Sequence, residues 1–127
     1  MMENKKIIET SNAPKAIGAY SQGTIYENFI FTSGQIPIDK KNNEIVSSDF
    51  KEQVYQTLYN LQDLIKSQGS SIDKILKLTV YLVNMSDFKV LNEVFEEFFV
   101  RDFPARSVVE VVKLPKNSQV EIEAICI

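Results

Sequence analysis

The 127 residues, 44% hydrophobic and 24% charged, fit one compact domain, expected over 1–127, and contain no apolar run near the roughly 20 residues that span a bilayer. Fourteen basic against seventeen acidic residues give a net charge of -3 and a pI near 5.0, a poor endowment for neutralising phosphates, so a nucleic-acid partner is not expected. No histidine is present and Cys126 is the only cysteine, which removes Ser-His and Cys-His dyads, the commonest metal ligand and any intramolecular disulfide.

Residues 5–9 read as a short edge strand, and Ser11 to Ala19, with Pro14 and Gly18, as a loop. Residues 20–26 and 29–33 alternate polar and apolar around Glu27-Asn28, the pattern of a hairpin and its turn. Gly34 to Ser48 reads as a surface loop. Asp49 is placed to cap a first helix, with Glu52 three residues on as in a capping box. Phe50, Val54, Leu58, Leu61 and Ile65 make its apolar stripe, and Gly69 its stop.

Residues 74–83 are rich in β-formers and predict a buried strand. A second helix is expected from a cap at Ser86 to Pro104, with Phe88, Leu91, Phe95 and Phe98 on its apolar side. Strands at about 106–113 and 119–127 follow. After the edge strand the order is β, β, α, β, α, β, β, and two crossovers should lay both helices on one face of the sheet. The last two strands carry valine or isoleucine in both alternating sets. The face without helices is therefore expected to be covered by another subunit.

Two charges interrupt these apolar strands. Arg106 shares a side with Val108, Glu110 and Val112, and Glu123 shares one with Glu121, Ile125 and Ile127. Charge in such a run is costly unless it is solvated, paired or used. Both residues could be strand-end groups facing water. Alternatively, the arginine binds an anion through its planar fork while the carboxylate positions a water. Tyr20 and Ser33-Gly34, flanking the hairpin, carry the same two readings: interface tyrosine, strand serine and turn glycine, or ligand contacts.

Four collinear segments resemble the Rid (YjgF) family. They are Ala13-Pro14-Lys15-Ala16-Ile17-Gly18-Ala19-Tyr20-Ser21-Gln22, Phe31-Thr32-Ser33-Gly34-Gln35-Ile36-Pro37, Pro104-Ala105-Arg106-Ser107-Val108-Val109-Glu110-Val111, and Leu114-Pro115 with Val120-Glu121-Ile122-Glu123-Ala124-Ile125. The first has Ala19 where the family more often has proline. The resemblance implies a chorismate-mutase-like α+β fold, a six-stranded mixed sheet with two helices on one face, assembled as a homotrimer with sites between subunits.

The resemblance also implies hydrolysis of reactive 2-imino acids, 2-iminobutanoate and 2-iminopropanoate foremost, to 2-keto acids and ammonia, without metal or organic cofactor. By position, Arg106 would clamp the substrate carboxylate, Gly34 and Ser33 would meet the imine, and Glu123 would hold the attacking water. Tyr20 would line the pocket from a neighbouring chain, and Asn92 matches a helix asparagine of many members. Val108 stands where many members have cysteine. It retains the backbone carbonyl, and imine hydrolysis needs no covalent step.

An endoribonuclease or translation-inhibitor activity, also ascribed to the family, and a non-catalytic carboxylate-binding module are the competing readings. The segment Met-Met-Glu-Asn-Lys-Lys has no secretory apolar stretch, and with the single thiol it leads to an expected cytoplasmic location.

Overall fold

Strict alternation along the C-terminal strand organises the molecule, here a computed structural model describing residues 4–127; Met1, Met2 and Glu3 of the N-terminal segment lie outside the described residues. The strands are β1 (Lys6–Ile8), β2 (Gly23–Tyr26), β3 (Phe29–Thr32), β4 (Ile75–Leu82), β5 (Ala105–Glu110) and β6 (Val120–Cys126). They form one six-stranded sheet in the order β1-β2-β3-β6-β4-β5. The last strand therefore sits inside the sheet, antiparallel to both β3 and β4, while β4 and β5 run parallel. Helix α1 (Phe50–Lys66) links β3 to β4 and α2 (Phe88–Phe99) links β4 to β5.

Val120, Ile122, Ala124 and Cys126 point one way from β6 and are buried with Leu78, Val80 and Leu82 of β4. Val54, Leu58, Leu61 and Ile65 of α1 and Leu91, Val94 and Phe95 of α2 complete this core. Both helices thus lie over the same side of the sheet, as the sequence pattern implies. The Cys126 thiol is a wholly buried core group whose burial pushes its pKa up, so it behaves as a small apolar side chain.

The other side of the sheet has no helix. Ile7, Tyr26, Phe29, Phe31, Val109 and Ile127 are all exposed there or along its margins. Phe31 pairs with Ile125 in register, which carries the apolar surface from β3 onto β6.

Several boundaries differ from the sequence reading. The first hairpin strand begins at Gly23, because Tyr20 to Gln22 belong to the preceding loop, which the Gln22 side chain secures. Asp49 caps α1, accepting from the Glu52 N–H at 3.0 Å; the helix closes at Ser67, and Gly69 takes φ +82° in the turn that follows. Ser86 does not cap the second helix. Asn84 does the capping, accepting from the Ser86 N–H at 3.0 Å ahead of a short 3-10 turn, and α2 starts at Phe88. That helix ends at Phe99 through Val100 at φ +66°, ahead of Pro104. Strand β5 stops at Glu110, whose carboxylate turns back to accept from the Met85 N–H at 2.7 Å.

The Gly34–Ser48 segment is less of a surface loop than its polar composition suggests. Gln35 and Ile38 are buried, and Gln35 exchanges two backbone hydrogen bonds with Ile122, at 2.8 and 3.0 Å. Asn60, buried on α1, donates to the carbonyls of Ile36 (3.0 Å) and Ile38 (2.9 Å). Removing a buried donor leaves its acceptors without partners, which costs more than the net worth of the bonds. Asn60→Ala is expected to lower unfolding free energy by about 2 kcal/mol in urea titrations at fixed protein concentration. Gln56→Ala, which removes only a donor to the Asn60 Oδ1, should cost about half of that or less.

Candidate functional site

A cavity of about 580 Å³ opens at the end of the sheet where β3 and β6 meet the Pro14–Gln22 loop. Tyr20, Ser33, Gly34, Glu121 and Glu123 line it. Its walls are fixed from the backbone outward. Gln22 is buried and grips the loop, accepting from the Thr10 N–H at 2.7 Å and donating to the carbonyls of Thr10 (2.9 Å) and Pro14 (2.8 Å). Ser33 donates its hydroxyl to the Ser21 carbonyl at 2.6 Å, and its N–H to Gln22 at 2.9 Å. Tyr20 caps the rim, its hydroxyl accepting from the Ile17 N–H at 3.2 Å.

The Gly34 N–H is available. Its neighbours Ser33 and Gln35 spend theirs on Gln22 and Ile122, and among the described residues the Gly34 N–H has no partner. Glycine at this position also lets a carboxyl approach the main chain closely. A Cβ at this position would lie 2.6 Å from the Glu121 Oε2, shorter than van der Waals contact, so the glutamate would have to shift. The Glu121 carboxyl therefore rests against the main chain of Gly34.

Glu123 projects from the same side of β6 two residues on. Tyr81 of β4 donates its hydroxyl to one of its oxygens at 2.9 Å; the other has no donor among the described residues and can accept from a water or substrate. That bond, with burial and the two neighbouring carboxylates, raises the tyrosine pKa, so Tyr81 remains a donor. Glu121 is half-buried. Burial first, and then the charge of Glu123, push its carboxyl pKa above the ordinary value.

Arg106 and Asn92 do not enter this cavity. In the β4–β5–β6 register Arg106 lies level with Leu78 and Ala124 on the helix-bearing side, whereas Glu123 lies level with Thr79 on the open side. The Arg106 guanidinium sits over two phenyl rings, 5.3 Å from the Phe88 centroid and 5.0 Å from that of Phe95. It lines a separate crevice of about 400 Å³ with Asn92, Phe103 and Pro104. Its pKa is lowered by burial, with no carboxylate contributing among the described residues, and a guanidinium remains charged. Val108 points the same way and packs on the core.

Within one chain the candidate residues therefore form two groups. One is the carboxylate cavity with Tyr20, Ser33, Gly34 and Glu123; the other is the arginine crevice with Asn92. Tyr20, which the family resemblance places across a subunit boundary from the arginine, lines the cavity of Glu123 within its own chain. Two residues escaped the sequence reading, Glu121 in the cavity and Tyr81, which donates to Glu123. Glu121 had a legible signal, the i, i+2 spacing to Glu123 on one strand face. Tyr81 had none, because its contact depends on the β4–β6 register. Among the described residues no three of His, Cys, Asp and Glu gather as a metal site requires, and no helix is long and apolar enough to cross a membrane.

Two helices over one side of a mixed sheet, with β6 inserted between β3 and β4, is the fold of the YjgF/Rid proteins. The sequence matches the endoribonuclease L-PSP family over residues 10–127, and the chain belongs to that family. A RutC family protein of Pyrococcus horikoshii is 50% identical over 121 residues, spanning 95% of this chain and 96% of the relative. A human 2-iminobutanoate/2-iminopropanoate deaminase is 38% identical over 123 residues, spanning 97% and 90%. The crystal structure of Escherichia coli TdcF with bound serine aligns with a TM-score of 0.91 at 42% identity, over 96% of this chain and 98% of that one.

The raised carboxyl of Glu121 has a consequence for stability. A carboxyl whose folded pKa lies above its unfolded one binds more protons when folded. Its contribution is full below the ordinary glutamate value of 4.5 and is lost as pH rises through the folded value. Glu121→Gln removes this dependence. In urea unfolding at fixed protein concentration, the variant should match wild type near pH 4 and gain on it progressively toward pH 7.

Proposed function

We propose that this chain is an imine deaminase, hydrolysing 2-iminobutanoate, 2-iminopropanoate and similar 2-imino acids to 2-keto acids and ammonia. The sites are completed between subunits of a homotrimer in the cytoplasm. The observation that carries the reading is the division of the candidate residues. An arginine stacked on two phenyl rings, with no carboxylate partner among the described residues, can take an anionic substrate group. A half-buried carboxylate pair beside an N–H with no partner among the described residues can hold and activate a water. The open apolar face gives one copy reason to bury the other, and relatives at 38–42% identity carry deaminase names.

The chemistry asks little. An imine carbon is already electrophilic, so holding the substrate and one water in line supplies most of what is needed. Arg106 of one copy clamps the carboxylate through its two parallel N–H donors, with Asn92 beside it. Phe88 and Phe95 keep that guanidinium in place. In the neighbouring copy the Gly34 N–H, with Ser33 beside it, meets the imine end, and Tyr20 closes the rim. Glu123, one oxygen held by Tyr81, holds the attacking water with the other and takes its proton. The Val108 main-chain carbonyl serves where relatives carry cysteine, so no thiol is needed. These steps use side chains and backbone alone, without a cofactor.

An endoribonuclease reading gains no support from the charge: fourteen basic residues against seventeen acidic ones provide no phosphate track. The deciding assay generates 2-iminobutanoate with an amino-acid oxidase and traps the surviving imine with semicarbazide. Wild type should lower the trapped fraction, and Arg106→Ala should lose at least about tenfold of that effect through loss of a bidentate charge-assisted contact. No effect from the pure oligomeric wild type would overturn the deaminase reading and leave a carboxylate-binding module.

A further inference from the structure

Two carboxylates, Glu121 and Glu123, line the cavity at the β3–β6 end of the sheet, in a chain whose net charge is -3. A 2-imino acid carries a carboxylate of its own, as does the 2-keto acid formed from it, so the cavity repels that end of the molecule. Like charges in a cleft with low-dielectric walls act on one another more strongly than in bulk water. Positive charge at the mouth offsets that field. The cavity lining supplies two cations, Lys15 and Lys116, and both are exposed at its rim. We propose that Lys15 and Lys116 form a cationic rim that selects anionic substrates, drawing the carboxylate of the imino acid past the two glutamates. The inference rests on the deaminase reading and assigns that site its selection for charge.

Each lysine is held at the mouth by its backbone. Lys116 takes φ +57° and ψ +25°, and Asn117 φ +55°, in the short 3-10 turn Pro115–Asn117 ahead of β6. Successive non-glycine residues in the left-handed region are uncommon, and such backbone persists only where its surroundings fix it. Buried Ser118 fixes it here, donating its N–H (3.1 Å) and its hydroxyl (2.9 Å) to the Pro115 carbonyl. The Asn117 N–H reaches the Leu114 carbonyl at 3.2 Å. Lys15 comes from a different wall. It follows Pro14, whose carbonyl the buried Gln22 side chain holds at 2.8 Å.

The two ammonium groups are not consumed by the carboxyl below them. Burial, and then the charge of Glu123, shift Glu121, with no lysine contributing among the described residues. Lys40, by contrast, donates to the Asn12 carbonyl at 3.2 Å and does not line this cavity. An ammonium on a flexible stem acts as a point charge, which suits attraction at a mouth, whereas the planar fork of Arg106 suits the anchor. The rim thus governs how readily an anion enters, and the arginine governs where its carboxylate stops. A charge that acts equally on bound substrate and transition state shows in KM and leaves kcat alone.

The test compares wild type with Lys15→Gln, Lys116→Asn, the double variant and Lys116→Arg. Lys51→Gln, on the exposed side of α1, is the control for the same loss of charge elsewhere. Asparagine tolerates the left-handed backbone at position 116, so the turn is retained. Kinetics with 2-iminobutanoate and calorimetric binding of 2-ketobutanoate are measured from about 0.01 to about 1 M salt, across which the screening length falls from about 30 Å to about 3 Å. Oligomer mass is recorded on the same samples. Each neutral variant should raise KM and the keto-acid Kd about threefold at low salt, and the double about tenfold, with kcat unchanged and a flatter salt dependence. Lys116→Arg and Lys51→Gln should behave as wild type. Neutral variants that match wild type, or a Lys51→Gln shift as large as that of Lys116→Asn, overturn the rim. If Lys116→Asn does not assemble, Lys15→Gln decides on the same criterion. An inactive wild type overturns the deaminase reading, and the keto-acid Kd then decides the rim by itself. Absence of both activity and binding overturns the two together.

Discussion

The burial of β6 between two antiparallel neighbours is the constraint on which the rest depends. A strand with partners on both sides cannot rotate, so its two sets of side chains are committed to opposite faces. One set, Val120, Ile122, Ala124 and Cys126, becomes the floor of the core. The other set, Glu121 and Glu123, is thereby held on the open side, against β3 and β4 rather than in bulk solvent. A slip of one residue would drive two carboxylates under the helices at prohibitive cost. The core thus fixes the register, and the register aims the carboxylates.

The same register separates Arg106 from Glu123 within a chain. On the edge strand β5 the arginine faces the helices, where Phe88 and Phe95 shield its guanidinium from water without neutralising it. A shielded cation with no carboxylate partner among the described residues attracts an anion, because competing solvation is reduced. The open face meanwhile leaves large apolar residues of β1, β2, β3 and β5 uncovered. On the proposed reading, hydrophobic pairing of copies and completion of a charged site would be two consequences of one arrangement.

Much of the fold was legible in the sequence. The stripe from Phe50 to Ile65 and the alternation in β6 report burial directly, and the helix-free apolar face followed from valine and isoleucine in both strand sets. Local substitutes for the expected signals were not legible. Asn84 rather than Ser86 caps the turn before α2, and Val100 rather than Pro104 ends that helix, because tertiary packing selected among several adequate caps and stops. The polar Gly34–Ser48 segment concealed Gln35 and Ile38, whose burial depends on a β6 bridge and on Asn60. For the site, Arg106 and Glu123 stood out as charges in apolar runs, yet their separation onto opposite faces required the pairing of three strands. Tyr81 was invisible for the same reason.

The central claim, that Arg106 of one copy works with Glu123 of another, is tested most directly by mixing two inactive variants. Arg106→Ala and Glu123→Gln, each assembled and each inactive alone, are unfolded together and refolded as mixed trimers. A site shared between neighbouring subunits predicts recovery of about a quarter of wild-type activity, the statistical share of sites with both residues intact in random trimers. A site contained in one chain would contradict the claim, because every subunit then lacks one residue and the mixture stays as inactive as its parts.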